Sequence, residues 1–256
     1  VDEIWIYIFL IVAGFGSGFI DSVVGGGGVI STPALLSIGL PPQIALGTNK
    51  LASSMGSLTS TLTFLRSGKV NLRLTAKLFP LSFTGSAFGV FLVHFLPSQL
   101  LRPLILILLV AVTIYTLLRK KWGAASHFRG LTGKTCMWFL PLVLAIGFYD
   151  GFLGAGTGSF LIFSFLMLGF DFIHSAGNAK VLNFGSNIAA LITFAALGYV
   201  NYRMGAIMAA ALIAGSWCGA KVAIKSGSSY VRILFLAVTT LLIGKNIVDY
   251  LTWLTR

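Results

Sequence analysis

The sequence predicts an all-α polytopic membrane protein of two repeats, with about eight full transmembrane helices and two short glycine-broken segments. Three observations predict it. Of 256 residues, 57% are hydrophobic and only 9% are charged, where a soluble domain carries about 25% charged residues. The charges gather in clusters, and the apolar stretches between them run to roughly 20 residues, enough to cross a bilayer. The second half of the chain also restates the first.

Residues 4–20 read as the first helix. Asp2 and Glu3 precede it in place of a basic leader, which favours a retained helix over a removed signal. The run Gly25-Gly26-Gly27-Gly28 then breaks the helix, because glycine loses the most backbone entropy on ordering. A short apolar piece at 29–39 ends at Gly39, Pro41 and Pro42. Residues 43–66, 72–95 and 100–119 each have spanning length, and a basic loop from Arg119 to Lys134 follows. The second half runs through 135–152, a glycine-broken piece at 153–169, and then 174–197, 204–224 and 231–251. The division is a first repeat over 1–122, a basic linker over 123–134, and a second repeat over 135–256.

An offset of 130 pairs Gly47 with Gly177, Lys50 with Lys180, Gly68 with Gly198, Asn71 with Asn201, Gly85 with Gly215 and Gly89 with Gly219. An offset of 129 pairs Asp21 with Asp150 and Gly25 with Gly154. If each broken piece completes a crossing, each half crosses an odd number of times and the repeats are inverted. The basic loops Arg66–Arg73, Arg119–Lys134 and Lys221–Arg232 then share one side, the cytoplasm by the positive-inside rule. If the pieces re-enter, the halves are parallel and Lys225 and Arg232 fall outside. The inverted arrangement accounts better for the charge.

Those loops also account for the net charge of +12. No basic stripe with interleaved aromatics points to nucleic acid. Cys136 and Cys218 lie in apolar surroundings without metal spacing and read as packed thiols. His94, His127 and His174 lack metal-ligand spacing, and no catalytic constellation or phosphate loop is present. The expectation is therefore no enzyme activity, no cofactor, no metal and no ATP-driven engine.

Lys50 and Lys180 lie inside apolar segments. A lysine at the bilayer centre costs about 2.5–3.5 kcal/mol on insertion scales, so it faces a cavity or a partner, unless it snorkels to the interface. Recurrence in both halves favours a site. Lys50, Ser53 and Ser57 share one helix face, as do Lys180, Asn183 and Asn187. A cation flanked by hydroxyl or amide donors suits an anion with several acceptor oxygens; interhelical hydrogen bonding is the alternative. The glycine breaks 25–28 and 154–158 add backbone N–H groups at the positive ends of short helices. Paired breaks of this kind mark the midplane site of transporters. Gly14/Gly18, Gly85/Gly89 and Gly215/Gly219 have close-packing spacing instead. Asp21 and Asp150, at the edges of the breaks, are candidates for a coupling proton, for positioning N–H groups, or for capping. Asp171 and Asp249 read as helix-end residues.

The segment Phe19-Ile20-Asp21-Ser22-Val23-Val24-Gly25-Gly26-Gly27-Gly28, then Thr32-Pro33-Ala34-Leu35 and Ala45-Leu46-Gly47-Thr48-Asn49-Lys50-Leu51, resembles the TauE/SafE sulfite-exporter family. Gly147-Phe148-Tyr149-Asp150-Gly151-Phe152 and Ala179-Lys180-Val181-Leu182-Asn183, with Ser186-Asn187, look like its YfcA-like branch. The resemblance implies an eight-helix core that transports small anions across the bacterial inner membrane by alternating access. Sulfite, sulfonates and small organic acids are the implied substrates. It marks Gly25, Gly26, Gly27, Gly28, Thr48, Asn49 and Lys50 in the first half as substrate-binding. In the second half it marks Gly154, Gly156, Asn178, Lys180, Asn183 and Asn187. The second run departs from four glycines, reading Gly154-Ala155-Gly156-Thr157-Gly158, which makes the half-sites unequal. A passive anion channel and a non-transporting assembly protein stay as alternatives. The implied partners are a small anion and the lipid bilayer, not nucleic acid. A homodimer is compatible with the sequence, which does not decide the oligomeric state.

Overall fold

Glycine, proline and a few capping side chains cut the chain into helices. A computed structural model describes the backbone of residues 3–97, 126–128 and 130–254. The helices are α1 (Glu3–Val24), α2 (Gly28–Ser37), α3 (Pro42–Arg66), α4 (Leu72–Phe95), α5 (Gly133–Phe152), α6 (Thr157–Met167), α7 (Phe172–Ala196) and α8 (Tyr202–Leu254). No strand occurs among the described residues. The helix expected over 100–119 and most of the basic linker lie outside them.

The starts are chemically specified. Pro42 opens α3, where its missing N–H costs nothing. Asn71 caps α4 by accepting the Leu74 N–H at 3.1 Å. Thr132 and Thr135 form a reciprocal capping box on α5. Asp171 caps α7, accepting the N–H groups of Ile173 and His174 at 3.0 Å each.

One boundary differs from expectation. The first helix extends four residues past the expected end at 20, because the backbone first turns left-handed at Gly25 (φ 80°). Asp21 therefore sits on the last turn of α1, as Asp150 sits on that of α5. The segments expected at 204–224 and 231–251 fall on either side of a kink in α8 at Gly227 (φ 76°, ψ −176°), a conformation restricted to glycine.

Among the described residues, five helical stretches are long and apolar enough to cross a membrane: α1, α4, 135–152 of α5, α7, and 202–227 of α8. This is a membrane protein. Helix α3 matches them in length but carries Thr48, Asn49, Lys50 and a series of serines.

Helices α3 and α7 lie against each other at the centre, with α8 and α4 packed on them. Outside these, α1 packs on α8 and α5 on α4. Burial follows that order: 61% of the apolar window of α7 is buried, against 22% for α1. Helices α3 and α7 run antiparallel, each start resting on the loop that follows the other. A Cβ at Gly47 would overlap the Tyr199 carbonyl, and one at Gly177 the Lys69 carbonyl. At that second end the His127 N–H donates to the Gly169 carbonyl at 2.6 Å, so Lys69 and the edge of the basic linker share one end of the bundle.

The close-packing glycines seat neighbouring backbones. A Cβ at Gly85 or Gly89 would overlap the carbonyls of Leu144 and Phe148 on α5. A Cβ at Gly215 or Gly219 would overlap those of Phe15 and Phe19 on α1. Gly18 meets the Leu212 carbonyl, as Gly147 meets that of Ser82. In each matched set the partners, like the glycines, differ by 129 or 130 in number.

Gly89→Ala should therefore destabilise the fold, because overpacking against a fixed backbone costs about 1–3 kcal/mol or more. Gly16→Ala, with nothing within 4 Å of the added carbon, should be neutral or stabilise by up to about 1 kcal/mol. Thermal unfolding in detergent checks both; equal midpoints for the two variants would refute this packing.

Candidate functional site

The two glycine breaks meet each other. Gly25, Gly154 and Gly156 all have left-handed backbone (φ 80°, 76° and 81°), which glycine adopts without a steric penalty. The Gly25 carbonyl accepts the Ser159 N–H at 3.1 Å. Ser159 Oγ donates to the Val24 carbonyl at 2.8 Å. A Cβ at Gly25 would overlap Gly158, and one at Gly28 would sit 3.2 Å from the Gly154 carbonyl oxygen. The Gly26 carbonyl accepts the Val29 N–H at 3.1 Å, closing the turn into α2. Gly27 caps α2, its carbonyl held by Ser17 Oγ at 2.8 Å.

Two lysine–aspartate pairs flank this junction. Lys50 Nζ, from α3, donates to Asp150 Oδ1 on α5 at 2.8 Å and to Asn187 Oδ1 on α7 at 3.1 Å. Lys180 Nζ, from α7, donates to Asp21 Oδ2 on α1 at 2.7 Å. The pairs are crossed, each lysine taking the aspartate of the other half of the chain. Neither lysine snorkels: the side chains of Lys50 and Lys180 are 2% and 0% exposed. A Cβ at Gly154 would lie 2.7 Å from Lys50 Nζ, so this glycine also leaves room for the ammonium group. The crossing was not anticipated from the sequence, although the matched offsets of Asp21/Asp150 and Lys50/Lys180 were the available signal.

Between the pairs lies a polar cavity of about 10 Å³, about the space of one water. Asn49, Lys50 and Ser53 line it from α3, and Asn183 and Asn187 from α7. Asp21, Asp150 and Gly154 complete the wall with Gly28 and Gly158, which lie in the first turns of α2 and α6. Gly158 belongs to the second break but was not singled out as a binding residue.

Other expected residues point elsewhere. Lys180 stands behind Asp21. Gly25, Gly26, Gly27 and Gly156 shape the breaks without lining the cavity. Thr48 Oγ1 accepts the Asn201 N–H at 2.9 Å, and Asn178 Oδ1 accepts the Asn71 N–H at 2.7 Å. These two fasten the ends of α3 and α7 to the neighbouring loops. Ser57 Oγ donates to the Ser53 carbonyl at 2.7 Å.

The four charged groups sum to zero, two lysines against two aspartates. The starts of α2 and α6 add positive dipole ends. The arrangement can hold a small group rich in acceptor atoms, provided a lysine is released from its aspartate. Among the described residues no group of three or more His, Cys, Asp or Glu is placed to hold a metal. His174 pairs with Asp171, and His94 with the Tyr199 hydroxyl.

The profile of the sulfite exporter TauE/SafE family matches residues 10–246. A "Probable membrane transporter protein ORF9" of Sinorhizobium is 37% identical over 242 residues, covering 94% of this chain and 92% of its own. A "Probable membrane transporter protein" of Haemophilus influenzae is 36% identical, covering 94% of each chain. The "Probable membrane transporter protein YfcA" of Escherichia coli K12 is 34% identical, covering 91% of this chain and 86% of its own. No solved structure matches the chain.

Removing one partner of a buried ion pair strands the other, at a cost of about 3–5 kcal/mol. Asp150→Leu and Lys50→Met should each lose about that much stability. The double variant Lys50→Met/Asp150→Leu should recover most of it. Additive losses in this double-mutant cycle, followed by denaturant unfolding in detergent, would show that the two groups are not coupled.

Proposed function

The chain belongs to the sulfite exporter TauE/SafE family of membrane transporters, and from that premise we propose that it is a secondary transporter carrying small anions across the bacterial inner membrane. The observation that carries this reading is the pair of buried, crossed lysine–aspartate contacts around a polar cavity where two broken helices meet. Broken backbone at membrane depth is tolerated only where it is buried in protein or lines a cavity. Paired breaks at the junction of two halves form the substrate site of repeat-built transporters.

Lys50 supplies the charge that meets the anion. Asn49, Ser53, Asn183 and Asn187 orient its oxygens, and the N–H groups at the starts of α2 and α6 face it. The family's name favours a sulfur-containing substrate, sulfite or a sulfonate, with small organic acids next. Catalysis has no part in this reading, and the partners are the anion and the surrounding lipid.

Two inverted repeats, 1–122 and 135–256 joined by the linker 123–134, supply the moving parts. The antiparallel run of α3 and α7, with contacts recurring at offsets of 129 and 130, supports that symmetry. Basic residues around Lys69 and the linker share one end, which the positive-inside rule assigns to the cytoplasm. A cavity the size of one water suits a closed state between two openings, so alternating access proceeds by parting one repeat from the other.

The test is thermal stability of the purified protein against sulfite, thiosulfate, methanesulfonate, oxalate, sulfate and chloride. A ligand at 100 times its dissociation constant adds about 2.7 kcal/mol. At least one anion should raise the midpoint, and Lys50→Ala should abolish the rise. In proteoliposomes the same anion should show saturable counterflow. Flux without saturation or counterflow would indicate a channel. No shift with any anion, and no flux, would reject the reading.

A further inference from the structure

The two ion pairs are not equivalent. Both oxygens of Asp21 accept a hydrogen bond: Oδ2 from Lys180 Nζ at 2.7 Å, and Oδ1 from the Gly27 N–H at 3.3 Å. Asp150 gives Oδ1 to Lys50, but its Oδ2 is buried and has no partner among the described residues. A buried carboxylate oxygen without a donor leaves a desolvation cost uncompensated. Lys50 differs too, because it has a second acceptor besides Asp150, Asn187 Oδ1 at 3.1 Å. The matching position for Lys180 is Ser57, whose hydroxyl is committed to the Ser53 carbonyl. Finally, Lys50 and Asp150 both line the cavity, whereas Lys180 does not.

We propose, resting on the anion-site reading above, that Asp150 Oδ2 is the seat of a coupling proton, one taken up with each anion. A lone pair of Oδ2 takes a proton from the open aqueous side, forming the O–H bond and neutralising the carboxyl group. Lys50, freed of its counter-charge and still held by Asn187, passes to the anion, and the new O–H becomes a donor in the cavity wall. On the far side the anion leaves, the proton leaves Oδ2, and Lys50 returns to Asp150. The charged groups facing Asp150 are Lys50 from α3 and, across the cavity, Asp21 from α1 backed by Lys180. The α7 groups facing it, Asn183 and Asn187, are neutral. Tyr149, beside it on α5, donates its hydroxyl to the Ala155 carbonyl. Empty, the four charges sum to zero; with one proton and one monovalent anion they sum to zero again, so both forms cross without net charge. Asp21, with both oxygens occupied, keeps its contact with Lys180.

The test adds methanesulfonate, a monovalent anion that binds no proton near neutrality, to purified protein in weak buffer with a pH-sensitive dye. Wild type should take up one proton per bound anion, and its affinity should fall up to tenfold for each pH unit on the alkaline side. Asp150→Asn should abolish proton uptake and flatten the pH dependence of the anion affinity that remains. Asp21→Asn should change the anion affinity but keep the ratio of one proton to each anion bound. Should Asp150→Asn fail to fold, wild type and Asp21→Asn still decide. Wild-type binding without proton uptake, uptake that persists in Asp150→Asn, or uptake lost in Asp21→Asn would each overturn the proposal while leaving the anion site standing. If no anion of the panel, methanesulfonate included, shifts the wild-type midpoint, the anion-site reading fails and the proposal fails with it.

Discussion

Two lysines buried in the middle of a helical membrane bundle constrain everything around them. Neither can be left without a counter-charge in a low-dielectric interior, and neither finds one within its own half of the chain. Lys50 reaches Asp150 and Lys180 reaches Asp21. Each pair can form only if the two halves interlock, with α5 beside α4 and α7, and α1 beside α8. A contact that costs free energy to bury is weak evidence for stability alone. In the proposed function, its use is to set the register between the halves and to keep charge where a substrate can meet it.

The glycines make that interlock possible in two distinct ways. Along α4, α5 and α8 they let backbones approach to carbonyl contact, the close packing on which helix association in a bilayer depends. At 25, 154 and 156 they supply left-handed turns that end one helix and aim the next. Gly154 serves both purposes, since a side chain there would collide with the Lys50 ammonium group. Small residues at the junction thus bring charge, dipole ends and amide side chains around one small cavity.

Much of this was legible in the sequence, for physical reasons. A lysine in an apolar segment is conspicuous because lipid penalises it, and its recurrence at an offset of 130 made chance a poor explanation. The glycine breaks were visible because few other residues interrupt a helix so sharply. What stayed hidden depends on which faces meet. The aspartates were placed at the edges of the breaks, yet their partners lie 100 and 159 residues away, and the packing of α5 beside α4 and α7, and of α1 beside α8, brings them together. Thr48 and Asn178 look locally like cavity residues, but each points to a loop N–H. One polar residue per helical turn can face either way, and nothing local distinguishes the two. The first helix runs past the expected end at 20, with packing carrying Asp21 and Ser22, weak helix formers, on to Val24.

The most direct measurement is a cryo-electron microscopy map of the protein in lipid nanodiscs, recorded with and without thiosulfate. The account predicts anion density between the starts of α2 and α6, touching Lys50, with the Lys50–Asp150 contact lengthened and the cavity enlarged. Unchanged crossed pairs around a cavity still the size of one water, with the anion bound elsewhere, would contradict it.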